Sequence, residues 1–207
     1  MSKQMAFHVD TSSCVGCGSC EIACKDEKNL TVGARPRFVR NFAGGSWKVE
    51  NGINTPVDVF SYSVSIACNH CNNPVCVEAC PTGAMRKDKD TGIVYSDYET
   101  CIGCNACHDA CPYKAPQLIE EEKKIAKCDF CRSLLAIDMK PACVETCPMR
   151  ALDYGTIEEM EKKYGSQKDI APLPKSDITS PNLVLTLHRD AKQTADSGEV
   201  IALYRKE

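Results

Sequence analysis

Residues 14–24 read "CVGCGSCEIAC", and residues 101–112 read "CIGCNACHDACP". Each packs four cysteines into eleven residues at intervals of two, two and three. The first three can aim their sulfurs inward around one small centre, because a loop of two-residue steps wraps its backbone about a point. The fourth follows on a helical turn and faces away from that loop, so it belongs to a different centre.

Outward from these stretches, "CNHCNNPVCVEACP" supplies Cys68, Cys71, Cys76 and Cys80, while "CDFC" and "CVETCP" supply Cys128, Cys131, Cys143 and Cys147. Four groups of four account for all sixteen cysteines of the 207-residue chain. Groups one and three follow the bacterial ferredoxin spacing C-x2-C-x2-C-x3-C, in which the fourth cysteine ligates the other cluster of a pair. Three of the four groups end in cysteine-proline; Cys24 is followed by Lys25 instead. Disulfides do not favour repeated triplets of this kind and need an oxidising compartment. Structural zinc sites use paired C-x-x-C, but separate the two pairs by a longer stretch. Iron–sulfur ligation is the reading that the spacing favours, with structural zinc as the rival.

Composition narrows the class. Aromatic residues make up only 6% of the chain, thin for a conventional core, so ligation is expected to supply part of the stability. The formal charge is −3, and no basic patch interleaved with aromatics points to nucleic acid. The longest apolar runs, "SVSIAC" and "LLAI", are far short of a membrane span. The start, "MSKQMAFHVDTSS", has neither a hydrophobic signal core nor a twin-arginine pair, so a chain that carries no signal peptide of its own is expected.

The pattern of elements is α+β. "MAFHVD" reads as a strand leading into group one, and "VFSYSVSIAC" alternates as a strand entering group two. Between them, residues 25–57 form an insertion whose "AGGSW" and "ENG" both read as turns. After Cys80, a hairpin around Asp90, Thr91 and Gly92 returns the chain to group three. "CPMRALDYG" echoes "CPTGAMRKD", which suggests a duplicated ferredoxin-like fold of two pseudo-symmetric two-cluster halves, one nested in the other. The expected division is 1–57 pairing with 121–155, an inner unit at 58–120, and a C-terminal region at 156–207. In that region "TIEEMEKKYG" reads as a short surface helix with a capping box, Thr156 with Glu159, and "NLVLTLH" as a strand. Residues 189–207 are polar enough to be mobile alone, or to lie on a partner.

Across its whole length the chain resembles the four-cluster iron–sulfur subunits of molybdopterin oxidoreductases. The resemblance rests on "CNHC…PVC…CPTGAM", "CIGC…C…ACPY…AP" and "KCDFC…PACVETCP…RAL". "AGGSW…NG", "YGTIEEMEKKYG" and "APLP…PNLVL" draw it towards the B subunits of anaerobic dimethyl sulfoxide reductases. The resemblance implies four [4Fe–4S] clusters. It assigns Cys14, Cys17, Cys20 and Cys147 to one, and Cys24, Cys128, Cys131 and Cys143 to the second. Cys68, Cys71, Cys76 and Cys111 go to the third, and Cys80, Cys101, Cys104 and Cys107 to the fourth. In the related nitrate reductase subunit a tryptophan replaces the second cysteine of group three and the site holds three irons; Cys104 is present here.

The implied role is an electron-transfer subunit without catalysis of its own. It relays single electrons from a quinol-oxidising membrane anchor to a molybdopterin catalytic subunit that reduces dimethyl sulfoxide or a related S- or N-oxide. Thiosulfate, polysulfide or formate enzymes, or a free polyferredoxin, are the alternatives. The resemblance further implies export with the catalytic partner and a peripheral place on the outer face of the cytoplasmic membrane. Among other residues, His70 and His108 read either as hydrogen-bonding tuners of neighbouring clusters or as partly solvated loop residues. Lys127, Arg86 and Arg150 read as compensating or plain surface charges, and Trp47 as an interface anchor or local packing.

Overall fold

Strand β1 (Met5–Asp10) is buried on both faces from Ala6 to Val9, the mark of a central strand. The structure, a computed structural model, describes residues 3–193 and 198–201. On one side β1 pairs antiparallel with β8 (Leu152–Thr156), setting Val9 opposite Leu152. On the other it pairs parallel with β9 (Leu183–Thr186), setting Phe7 opposite Leu183. The segment before the first cysteine group is thereby tied to segments after the last.

The period of two divides this sheet's faces. Ala6 and Val184 meet Met160 of helix α6 (Ile157–Tyr164), whereas Phe7, Val9, Leu183 and Leu185 turn into the main core beside the cysteines. Helix α6 begins as its sequence dictates. Thr156 Oγ1 accepts from the Glu159 N–H at 3.3 Å, and Glu159 Oε2 accepts from the Thr156 N–H at 2.8 Å.

Residues 38–66 form one long hairpin, β2 (Phe38–Glu50) and β3 (Ile53–Ile66), closed at Asn51 and Gly52 with positive φ at both. The "ENG" turn is therefore present. "AGGSW" is not a turn: it lies inside β2, and the register shifts between Gly44 and Ser46. Gly45 has φ 108°, and a Cβ there would stand 2.5 Å from the Val59 Cα, so the glycines mark a bulge rather than a reversal. Below it Phe42, Phe60, Tyr62, Val64 and Ile66 are buried; beyond it Trp47, Val49 and Ile53 are exposed.

The tail also departs from the expectation. β10 (Glu199–Ile201) adds antiparallel to β2, with Glu199 opposite Ala43. The Ala171 N–H donates to the Lys192 carbonyl at 2.8 Å, which secures part of the segment before it. Composition missed this because backbone pairing needs no apolar side chain. Residues 194–197 and 202–207, part of the same expectation, lie outside the described residues.

Two short hairpins complete the strands. β4 (Met85–Lys87) pairs with β5 (Val94–Ser96) around the anticipated turn, and β6 (Gln117–Ile119) pairs with β7 (Lys124–Ala126). The second hairpin bears on group three: a Cβ on Gly103, at φ 67°, would come within 2.1 Å of the Lys123 carbonyl oxygen. Short helices carry the late cysteines of each group. These are α1 (Ser19–Glu27), α2 (Val75–Glu78), α3 (Ala106–Ala110) and α5 (Ala142–Glu145), with α4 (Arg132–Leu135) between the last two. Helices α1 and α5 pack together, as do α2 and α3. Among the described residues no helix is long and apolar enough to cross a membrane.

Candidate metal centres

Cys20 and Cys24, Cys76 and Cys80, Cys107 and Cys111, and Cys143 and Cys147 are each four residues apart, on or just beyond a short helix. Residues at that spacing sit one helical turn apart, so two sulfurs on one stripe reach two neighbouring sites. The preceding cysteines lie in loops that use left-handed backbone, such as Gly16 and Gly18 before α1 and Gly103 and Asn105 before α3.

Three cavities result. One is walled by Cys14, Cys17, Cys20 and Cys147 and holds about 320 Å³ free of protein atoms, mouth included. A second, of about 360 Å³ on the same measure, is walled by Cys68, Cys71, Cys76 and Cys111 together with Lys127, Tyr113 and Thr179. A third, of about 300 Å³, is walled by Cys80, Cys101, Cys104 and Cys107. Cys24, Cys128, Cys131 and Cys143 are all buried, and Cys128, Cys143 and Cys131 add to the burial that raises the Cys24 thiol. Cys17 and Cys104, the second cysteines of groups one and three, are exposed.

The sulfurs stand around space instead of converging. Among the described residues no three His, Cys, Asp or Glu side chains are grouped tightly enough for a single ion. Backbone N–H groups point at the sulfurs: His70 at Cys68 (3.5 Å), Met85 at Cys80 (3.4 Å) and Ala151 at Cys147 (3.3 Å). Four thiols, inward N–H donors and a cavity between them suit a cluster whose own sulfides take up the middle.

Burial pushes the thiols of Cys14, Cys71 and Cys107 up to about 11 and those of Cys76 and Cys131 up to about 12. Metal loading must therefore displace protons from them. Cys68 is the exception. Burial would raise it too, but hydrogen bonds from His70 and the Lys127 ammonium outweigh burial and bring it down to about 5.

Both of those groups are buried. Lys127 Nζ donates to Cys68 Sγ at 3.2 Å, to the Cys128 carbonyl at 2.6 Å and to the Val94 carbonyl. His70 Nδ1 accepts from the Val94 N–H at 2.9 Å, which leaves the Nε2 proton facing Cys128 Sγ at 3.8 Å. His70 is thus no solvated loop residue, and Lys127 is no surface charge.

Arg86 and Arg150 are surface charges: Arg86 pairs with Asp97 at 3.1 Å, and Arg150 donates to the Glu145 carbonyl at 2.9 Å. His108 Nδ1 lies 2.6 Å from the Pro116 carbonyl oxygen. Trp47 is 64% exposed, which removes local packing as its role.

Sequence reasoning missed Arg37 and Ser65. Ser65 Oγ lies 3.2 Å from Cys20 Sγ and accepts from Arg37 Nη1 at 3.0 Å. Nothing in "RPRFVR" separates Arg37 from Arg35 and Arg40. The nearest hint is the alternation of "SVSI", which points Ser65 the same way as Ser63.

Residues 59–157 match the family of 4Fe-4S dicluster domains, and residues 11–31 match that of 4Fe-4S binding domains. Two relatives are the anaerobic dimethyl sulfoxide reductase B chains of Escherichia coli (strain K12) and Haemophilus influenzae. Identity to the first is 46% over 202 residues, covering 98% of each protein. Identity to the second is 45% over 195 residues, 94% of this chain and 95% of the relative. To the iron-sulfur subunit of the nitrate-inducible formate dehydrogenase of Escherichia coli (strain K12) it is 33% over 165 residues, 76% and 56% of the two. With near-complete coverage at the higher identity and 4Fe-4S domains across its cysteine groups, the chain thus belongs to the family of anaerobic dimethyl sulfoxide reductase B chains, iron–sulfur proteins that bind 4Fe-4S clusters.

Proposed function

We propose that this chain is the non-catalytic electron-transfer subunit of a sulfoxide or N-oxide reductase, carrying single electrons through four [4Fe–4S] clusters. Bound there, such clusters exchange single electrons with little rearrangement. Everything else falls to the chain's own residues.

The ligand sets proposed are Cys14, Cys17, Cys20 and Cys147; Cys24, Cys128, Cys131 and Cys143; Cys68, Cys71, Cys76 and Cys111; and Cys80, Cys101, Cys104 and Cys107. The observation that carries the reading is the gathering of cysteines in fours about three cavities, from segments far apart in sequence. Cys17 and Cys104 are exposed, while the cysteines of the Cys24 and Cys68 sets are mostly buried. An exposed ligand in each of two sets suits electron entry at one and exit at the other.

The fold proposed is a duplicated ferredoxin-like one, residues 1–57 with 121–155 as one two-cluster half, 58–120 as the other, and 156–207 as a C-terminal region. Support comes from the matched helix pairs, α1 with α5 and α2 with α3. A quinol-oxidising membrane anchor is the proposed donor and a molybdopterin subunit the acceptor, with the assembly on the outer face of the cytoplasmic membrane after joint export. The sulfoxide reading is preferred to a formate enzyme because identity is higher, 46% against 33%.

The test is iron and acid-labile sulfide per chain on the full chain purified without oxygen, with EPR of the reduced protein. About sixteen irons with matching sulfide support the reading. Zinc without sulfide overturns it.

A further inference from the structure

Arg37 enters the core immediately before β2 and is 1% exposed. A guanidinium does not give up its proton in a protein, so this is a permanent buried charge. Such a charge costs several kcal/mol to desolvate unless something opposite compensates it. Among the described residues no carboxylate pairs with it, and its Nη2 is buried with no hydrogen-bond partner. Nη1 donates to Ser65 Oγ, which leaves the serine hydroxyl hydrogen free to point at Cys20 Sγ. The plane is held from the other side by Phe7, whose ring centroid lies 4.7 Å from the guanidinium carbon. Phe7 in turn stacks on Phe130 at 4.1 Å, between Cys128 and Cys131 in the loop.

The groups that can supply opposite charge are cysteine sulfurs once they are ionised. Burial opposes the Arg37 charge, but Cys143, Cys20, Cys128 and Cys24, when ionised, outweigh burial and raise its pKa. One belongs to the Cys14 set and three to the Cys24 set. A buried cation of this kind is uncompensated while the thiols are protonated and becomes compensated when they ligate metal.

Resting on the four-cluster reading, we propose that Arg37 is the shared fixed countercharge of the Cys14 and Cys24 sets, holding up the reduction potentials of both. Each electron taken up adds one negative charge to a site that faces this guanidinium. Arg37 lowers the energy of that added charge at either site. Ser65 gives it a directional link to the Cys14 set alone. Arg37 is a positioning residue: it touches no ligand sulfur directly.

The experiment is an EPR-monitored redox titration of the full, cluster-loaded chain, comparing Arg37→Gln, Arg37→Lys and Ser65→Ala with the wild type. Centres are assigned by ligand variants. Arg37→Gln is expected to move the potentials of the Cys14 and Cys24 centres negative and leave the Cys68 and Cys80 centres in place. Arg37→Lys keeps the charge and should recover most of the shift, whereas Ser65→Ala should move the Cys14 centre only. Should Arg37→Gln fail to hold clusters, the other two variants decide. Arg37→Lys as damaging as Arg37→Gln, no shift in Ser65→Ala, or a common shift of all four centres would overturn the proposal. Iron analysis of the wild type separates the two ideas: absent iron sinks the cluster reading, while full iron with unmoved potentials sinks Arg37 alone.

Discussion

Lys127 Nζ stands 3.2 Å from the sulfur of Cys68 and 2.6 Å from the carbonyl oxygen of Cys128, so one buried ammonium joins two cysteine groups. Burial opposes its charge, but the Cys68 and Cys128 sulfurs, when ionised, outweigh burial and raise its pKa. Lys127→Met removes the charge at similar length and apolar bulk. In the loaded chain it should lower the reduction potential of the Cys68 centre by at least about 60 mV, which is tenfold in a one-electron equilibrium. A unit charge at this range in a partly screened interior is strong enough for that. Lys127→Arg should return much of the loss. An unmoved Cys68 potential in Lys127→Met would show that the amine is only a hydrogen-bond filler.

The proposed crossed ligand sets make Cys147 the most informative single ligand. It lines the cavity of Cys14, Cys17 and Cys20, although Cys143 on the same helical stripe is buried with the Cys24 set. Cys147→Ser is expected to weaken or convert the centre at Cys14, Cys17 and Cys20 and to leave the signal from Cys128, Cys131 and Cys143 intact. Iron content and EPR on the purified protein read this directly. A change confined to the Cys128 centre would reverse the assignment. Folding and metal binding are coupled, so the comparison needs protein that still binds the other clusters.

Much of this was open to reading from sequence because ligand spacing is a local property. "CVGCGSCEIAC" states its own loop and helix, and Thr156 with Glu159 states its own cap. "VFSYSVSIAC" likewise becomes the buried end of β3. What failed depended on long-range burial. Lys127, Arg86 and Arg150 look alike beside their cysteines, yet only Lys127 is enclosed. Arg37 is one of three arginines within six residues, and only the fold selects it. "AGGSW" was misread because glycine serves bulges and turns through the same left-handed backbone. β10 was missed because its partner, β2, is far away in sequence.

One sheet ties the segment before the first cysteine group to segments after the last. His8 is 3% exposed in the middle of β1, stacked on Tyr164 at 3.5 Å and 2°, with Nε2 2.9 Å from Thr186 Oγ1. Burial lowers its pKa below the ordinary 6.5; Asp10 and Asp153 pull the other way, and Lys163 adds to the lowering. The neutral ring is therefore the form that folds. As pH falls through 6.5 the unfolded chain takes up a proton that the folded chain does not, and stability declines until the folded pKa is passed. Between about pH 7.5 and about pH 5.5 the urea midpoint of the wild type should fall, and that of His8→Gln should fall less. The slope decides, whatever the variant's starting stability: Gln has nothing to titrate. Parallel slopes for the two proteins would mean that His8 is freely protonated inside the sheet, and that its stack on Tyr164 holds the imidazolium as readily as the neutral ring.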